Sequence, residues 1–90
     1  MNKPPTIDPA VWQFPCRVEL KVVGDARADF AANLIAEFQR LIPGDYTYRS
    51  TPSSGGKYVS ITVPVILQNA QQVQQLYAAL RDVAGVKMVL

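Results

Sequence analysis

Histidine is absent from this 90-residue chain. That removes Ser/His and Cys/His nucleophile pairs, histidine general bases and imidazole metal ligands. Cysteine occurs once, as Cys16. No intramolecular disulfide can form, and a lone cysteine fits a reducing compartment, where it usually serves as a small buried hydrophobe. One thiol and seven scattered carboxylates do not make a zinc site. Long apolar runs are also lacking: nothing approaches the ~20 residues of a membrane span, and the start MNKPPTIDPAVWQFP has no signal-peptide core. Nor does one sign of charge dominate. Nine basic and seven acidic residues leave a net charge of +2, too weak and too evenly spread to indicate nucleic acid or an anionic membrane. These absences read as a cytoplasmic protein that needs no cofactor, metal or membrane.

What is present describes one folded domain. Apolar residues make up 49% and charged residues 18%, a composition that argues against disorder. Ninety residues suffice for one core, because a second would bury too little surface. Residues 1–11 carry Pro4, Pro5 and Pro9, each of which removes a backbone donor, so they read as a loose arm. Residues 12–90 form the domain, with Trp12 and Phe14 apolar enough to dock the arm.

The periodicities set the order of elements. Cys16, Val18, Leu20 and Val22 alternate with Arg17, Glu19 and Lys21, the pattern of a half-buried strand. Gly24-Asp25 is expected to turn the chain, with Asp25 capping a helix. Phe30, Leu34, Phe38, Leu41 and Ile42 form that helix's apolar stripe, and Pro43-Gly44 stops it. Tyr46–Thr51 reads as an edge strand closed by Pro52. Ser53-Ser54-Gly55-Gly56 is a loop, and Tyr58–Val63 alternates again until Pro64, which is expected to end the pairing or mark a bulge. Asn69 and Gln72 have capping-box spacing for a second helix with the stripe Val73, Leu76, Tyr77 and Leu80. Gly85 is expected to end it, before a last strand with Val86, Met88 and Leu90 turned inward. The order βαββαβ implies the ferredoxin-like α+β fold: two helices on one face of a four-stranded antiparallel sheet, with the first and third strands central. The other face should carry Arg17, Glu19, Lys21, Tyr58, Ser60, Thr62 and Lys87.

Three features invite chemistry, and each has a simpler reading. Asp25 and Asp29, one helical turn apart, suit capping and dipole compensation better than a shared cation. Ser53-Ser54-Gly55-Gly56-Lys57 resembles a phosphate loop, yet it joins two strands and lacks both the earlier Gly and the Ser/Thr after Lys. The RNA-recognition motif shares the βαββαβ order and stacks bases on aromatics of its central strands. Here Tyr58 is the single outward aromatic on those strands, beside Ser60 and the charged Arg17, Glu19 and Lys21. A face so poor in aromatics does not favour that mode.

With the elements placed, several short pieces act together as a signature. They are Phe14-Pro15, Val23-Gly24, Pro43-Gly44-Asp45-Tyr46-Thr47, Pro52-Ser53-Ser54, Gly56, Tyr58, Ser60, Gln72-Val73, Leu76-Tyr77, Leu80 and Met88-Val89-Leu90. In these, the chain from Phe14 onward resembles the YbeD-like family of small bacterial proteins. Tyr48 stands where that family often has Pro, which would lengthen the edge strand, and Pro64 interrupts what is normally a plain strand. The resemblance implies an ACT-like regulatory fold with effectors near the turn after the first strand. It also implies a connection with lipoate metabolism and no established catalytic residues.

The leading expectation is a non-enzymatic regulatory or protein-interaction module, with a protein partner or small-molecule effector. Gly24, Asp25, Tyr46, Ser53, Ser54, Gly56, Lys57 and Tyr58 are its candidate contacts, Tyr46, Lys57 and Tyr58 being presented together. Exposed edge strands also permit a weak homodimer. The alternative is weak RNA binding through Arg17, Lys21, Tyr58 and Lys87.

Overall fold

A computed structural model describes residues 13–90; the Pro-rich arm and Trp12 lie outside the described residues. The elements run β1 (Cys16–Asp25), α1 (Phe30–Leu41), β2 (Arg49–Pro52), β3 (Tyr58–Leu67), α2 (Ala70–Arg81) and β4 (Val86–Val89). The strands form one antiparallel sheet in the order β2-β3-β1-β4, so the first and third are central, as the βαββαβ order implied. This is the ferredoxin-like α+β arrangement.

The core lies between the sheet and the two helices. Leu20 and Val22 of β1 and Ile61, Val63, Val65 and Leu67 of β3 point inward. They meet Phe30, Leu34 and Phe38 of α1 and Val73, Leu76, Tyr77 and Leu80 of α2. Fully burying a side chain of this size contributes about 1.5–3 kcal/mol, so the two helical stripes hold the layers together. The α2 cap is close to the expected box. Asn69 Oδ1 accepts from Gln72 N at 2.9 Å, and Gln72 Oε1 accepts from Gln68 N at 2.7 Å, one residue before the cap.

Several boundaries differ from the expectations, each for a local reason. Gly24-Asp25 does not turn the chain: both residues belong to β1, opposite Val59 and Tyr58. Asp25 therefore caps no helix. Asp29 is the N-cap of α1, and its carboxylate accepts from Arg27 Nε, with no side-chain bond to a helix amide. The second strand is shorter than expected and starts at Arg49. Tyr46 packs its ring against Phe38 with centroids 5.4 Å apart and donates from its hydroxyl to Ile42 O at 2.5 Å. These contacts tie Tyr46 to the end of α1, and Tyr48 falls before β2, lengthening nothing.

Pro64 neither ends β3 nor bends it, because it pairs with Glu19 in unbroken register. Tyr58 O accepts from Ser53 N on the β2 side, and main-chain polar groups alternate sides along a strand. Residue 64 thus also turns its backbone toward the β2 edge, but β2 begins opposite Thr62. The donor that proline lacks would point past the end of β2, and no ladder bond is lost. By the same parity Pro52 turns its nitrogen away from β3.

The helix α2 closes at Arg81, four residues before Gly85, through i→i−3 bonds from Asp82 N to Ala79 O and Val83 N to Leu80 O. The last strand holds a further correction. A register shift at Val23/Gly24 sets Val86 opposite Gly24 and Met88 opposite Val23. Val86 and Val89 therefore pack on the core, while Met88 and Leu90 face outward. Strict alternation had placed Val89 outside and Met88 and Leu90 inside; one extra residue in the ladder reverses the later positions.

Candidate functional site

The candidate contacts collect mainly at one end of the sheet, where β1 runs into α1. Gly24 is buried there, and the space for a side chain is taken: a Cβ would lie 2.3 Å from Phe30 Cζ and 2.6 Å from Gly85 O. Glycine at this position lets the first turn of α1 and the α2–β4 turn close on the end of β1. Gly85 has φ +91°, a left-handed conformation that favours glycine. Two backbone bonds join the segments, Asp25 N to Gly85 O at 3.0 Å and Ala26 N to Lys57 O at 3.1 Å, and Arg27 N to Asp25 O at 2.8 Å tightens the turn between them.

The β2–β3 loop flanks this junction. Ser53 N donates to Tyr58 O, Gly56 N to Ser53 O, each at 2.9 Å, and Ser53 Oγ accepts from Tyr58 N at 3.1 Å. Gly56 has φ +73° with open space around it, so here glycine serves the turn and not packing. Gly24, Asp25, Ser53, Ser54, Gly56, Lys57 and Tyr58 thus lie on adjoining segments. Two ion pairs edge the site, Arg27–Asp29 at 3.1 Å and Lys87–Asp25 at 3.7 Å. All four side chains are about half exposed, so each pair is worth only ~0–1 kcal/mol and orients side chains more than it stabilises the fold.

Tyr46 does not join them. It borders a separate groove of about 460 Å³ with Pro43, Thr47, Pro64 and Ile66. That groove lies some seven residues along β3 from Tyr58, about 20–25 Å at the usual strand rise. Its phenol is held above the ordinary tyrosine value by burial. The expected joint display of Tyr46, Lys57 and Tyr58 is therefore not formed, because Tyr46 is bound to the end of α1.

Beside the β1–α1 turn opens a groove of about 410 Å³ between α1 and the inner side of β2. Ala26, Arg27, Ala31, Tyr48, Ser50 and Pro52 are among its lining residues. Arg27, Tyr48 and Gly85 are not among the contacts expected from the sequence. Gly85 announced only a turn, and Tyr48 looked like part of an edge strand; the approach of β2 to α1 has no local sequence signal. Among the described residues no group of three His, Cys, Asp or Glu side chains comes together, and no charged side chain is buried. What the arrangement offers is backbone amides, hydroxyls, one guanidinium and an apolar wall, the equipment of a binding site.

Residues 9–90 match the model of a family described as a protein of unknown function, DUF493. The chain belongs to the DUF493 family. Its relatives include a UPF0250 protein of Shewanella sediminis, 46% identical over 80 residues, covering 89% of this chain and 91% of the relative. Another, from Pasteurella multocida, is 40% identical over 78 residues, covering 87% and 89%. This family agrees with the YbeD-like resemblance carried by the residues. Among solved structures, protein HP0495 of H. pylori superposes with a TM-score of 0.76 at 14% identity, covering 100% of this chain and 97% of that one. The ACT domain from GTP pyrophosphokinase of Chlorobium tepidum superposes with a TM-score of 0.61 at 16% identity, covering 82% and 94%. At these identities the structural likeness speaks for the fold. Among the described residues, no helix is long and apolar enough to cross a membrane.

Proposed function

We propose that this member of the DUF493 family is a non-enzymatic regulatory module that binds a small-molecule effector at the β1–α1 end of its sheet. The observation that carries this reading is the junction at Gly24. The start of α1 and the α2–β4 turn close on a glycine that has no room for a side chain, Lys57 bonds to the adjacent Ala26, and a groove opens beside them. The loop Ser53–Lys57 borders the same end and offers exposed hydroxyls and amides. An effector bound there would couple the turn, the hairpin and the start of α1, which is how a small ligand biases a domain between states. The ACT-like fold supports a regulatory role, although a fold alone does not assign one. The connection with lipoate metabolism rests on the family resemblance alone and selects compounds to try.

The test is a titration of amino acids, nucleotides and lipoate-related compounds into ¹⁵N-labelled protein. Binding should move the amides of Gly24–Ala28 and Ser54–Lys57, and exchanging Ser53–Gly56 for an unrelated loop should weaken it while the remaining spectrum keeps its dispersion. Compounds that bind elsewhere, or equally well after the loop exchange, would refute the assignment of this end.

A further inference from the structure

The outer face of the sheet, away from both helices, has a composition the effector reading does not use. Of the five exposed large hydrophobics among the described residues, four stand on it, Tyr58, Ile66, Met88 and Leu90, and Tyr48 lies elsewhere. Val23 lies between Ser60 and Met88 on the same face. Leu90 exchanges backbone bonds with Lys21 at 2.7 and 3.3 Å, which sets it beside Met88. Val23, Met88 and Leu90 thus form a contiguous aliphatic patch spanning two strands.

Charge surrounds this patch unevenly. Arg17, Lys21, Arg49 and Lys87 face the same side as the two anions Glu19 and Asp25. Arg49 pairs with Glu19 at 3.5 Å and Lys87 with Asp25 at 3.7 Å. Among the described residues, Arg17 and Lys21 have no ion-pair partner. Two cations therefore lie in line along β1, about 13 Å apart at the usual strand rise, starting at the edge of the patch.

We propose that this face docks an acidic amphipathic helix from a partner protein. The helix seats aliphatic side chains on Val23, Met88 and Leu90 and sets carboxylates over Lys21 and Arg17. The spacing suits a helix: neighbouring strands lie about 4.8 Å apart, and same-face side chains one turn apart on a helix lie about 5–6 Å apart. Two carboxylates some two turns apart span about 11 Å, within reach of both cations through their flexible stems. Methionine at the centre adapts to varied aliphatic partners. RNA fits less well, since the aliphatic patch offers no stacking plane and the aromatic Tyr58 lies opposite the anionic Asp25. A second copy fits poorly too, because two such faces would oppose the same excess of positive charge. None of the docking residues Arg17, Lys21, Val23, Met88 and Leu90 is among the effector-site contacts, so either assignment can fail alone.

The probe is a synthetic helix of about 18 residues with leucines at i, i+3, i+4 and i+7 and glutamates elsewhere. It is titrated into the full ¹⁵N-labelled chain and followed by amide shifts and fluorescence anisotropy. Shifts are expected at Lys21, Val23, Met88 and Leu90. The affinity should fall about tenfold in Lys21→Glu and again in Met88→Asp, and severalfold between about 50 and 300 mM NaCl. Both substituted side chains are exposed, and circular dichroism of the variants checks that they fold. A scrambled peptide that binds equally well, or a lysine version that binds as tightly, overturns the proposal. So does a preference for oligouridylate with shifts centred on Tyr58, or self-association through this face at micromolar concentration. A partner captured from lysate equally by wild type and Lys21→Glu/Met88→Asp would leave an interaction role standing and rule out this surface.

Discussion

Replacing Gly24 by alanine adds one methyl group where the structure has no space. The new Cβ would lie 2.3 Å from Phe30 Cζ and 2.6 Å from Gly85 O, against an ordinary contact of about 3.5–4 Å. Neither neighbour yields cheaply. The Phe30 ring is 1% exposed within the core, and Gly85 O accepts from Asp25 N at 3.0 Å. Overpacking of this kind costs about 2–3 kcal/mol, a large share of the ~5–13 kcal/mol expected for a domain of this size. With a urea slope near 1 kcal/mol/M, the unfolding midpoint should fall by about 2–3 M. Phe30→Leu removes the ring atom and should relieve part of the strain, so the double variant should be about 1 kcal/mol more stable than the summed single costs predict. A Gly24→Ala protein within about 0.5 kcal/mol of wild type, or strictly additive costs, would refute the claim that close packing fixes this junction.

Three further predictions concern the scaffold. Asn69→Ala removes the side-chain acceptor for Gln72 N and should cost about 1 kcal/mol by urea unfolding, whereas Asn69→Asp should cost little. Pro64→Thr should change stability by less than about 1 kcal/mol, because the restored donor points past β2, while Val65→Pro, which removes a donor facing β1, should cost about 3 kcal/mol or more. Burial holds the Tyr46 and Tyr77 phenols above the ordinary value near 10. Folding therefore favours the protonated phenols, and their contribution is complete below about pH 10 and is lost as pH rises through the native values. The urea midpoint should fall as pH rises above about 10, with the absorbance of these two phenols at 295 nm rising later than that of free tyrosine.

The fold was legible because its signals were local and repeated. Alternation from Cys16 to Val22, the stripe Phe30–Leu34–Phe38 and the cap at Asn69 each describe one element, and βαββαβ leaves few topologies. Errors arose where a residue's role depends on a distant neighbour. Gly24 looked like a turn because glycine usually turns a chain, but here it admits Phe30 and Gly85. Pro64 looked like a strand terminator because the length of β2 cannot be read beside it. Met88 and Leu90 looked buried because a single-residue bulge cancels strict alternation. The candidate site was half legible for the same reason: Asp25, Lys57 and Tyr58 share a sheet register, while Tyr46 is held elsewhere by Phe38 and Ile42, and Arg27 and Tyr48 became visible only once α1 and β2 were in place.

The central claim is that the β1–α1 end is where this domain binds its effector. Amide hydrogen exchange of the full chain, with and without the small-molecule fraction of a bacterial extract, tests it most directly. The account predicts slower exchange concentrated at Ala26–Ala28 and Ser54–Lys57, with the centre of the sheet unchanged. Exchange that does not slow at those amides, or that slows only in other regions, would contradict it.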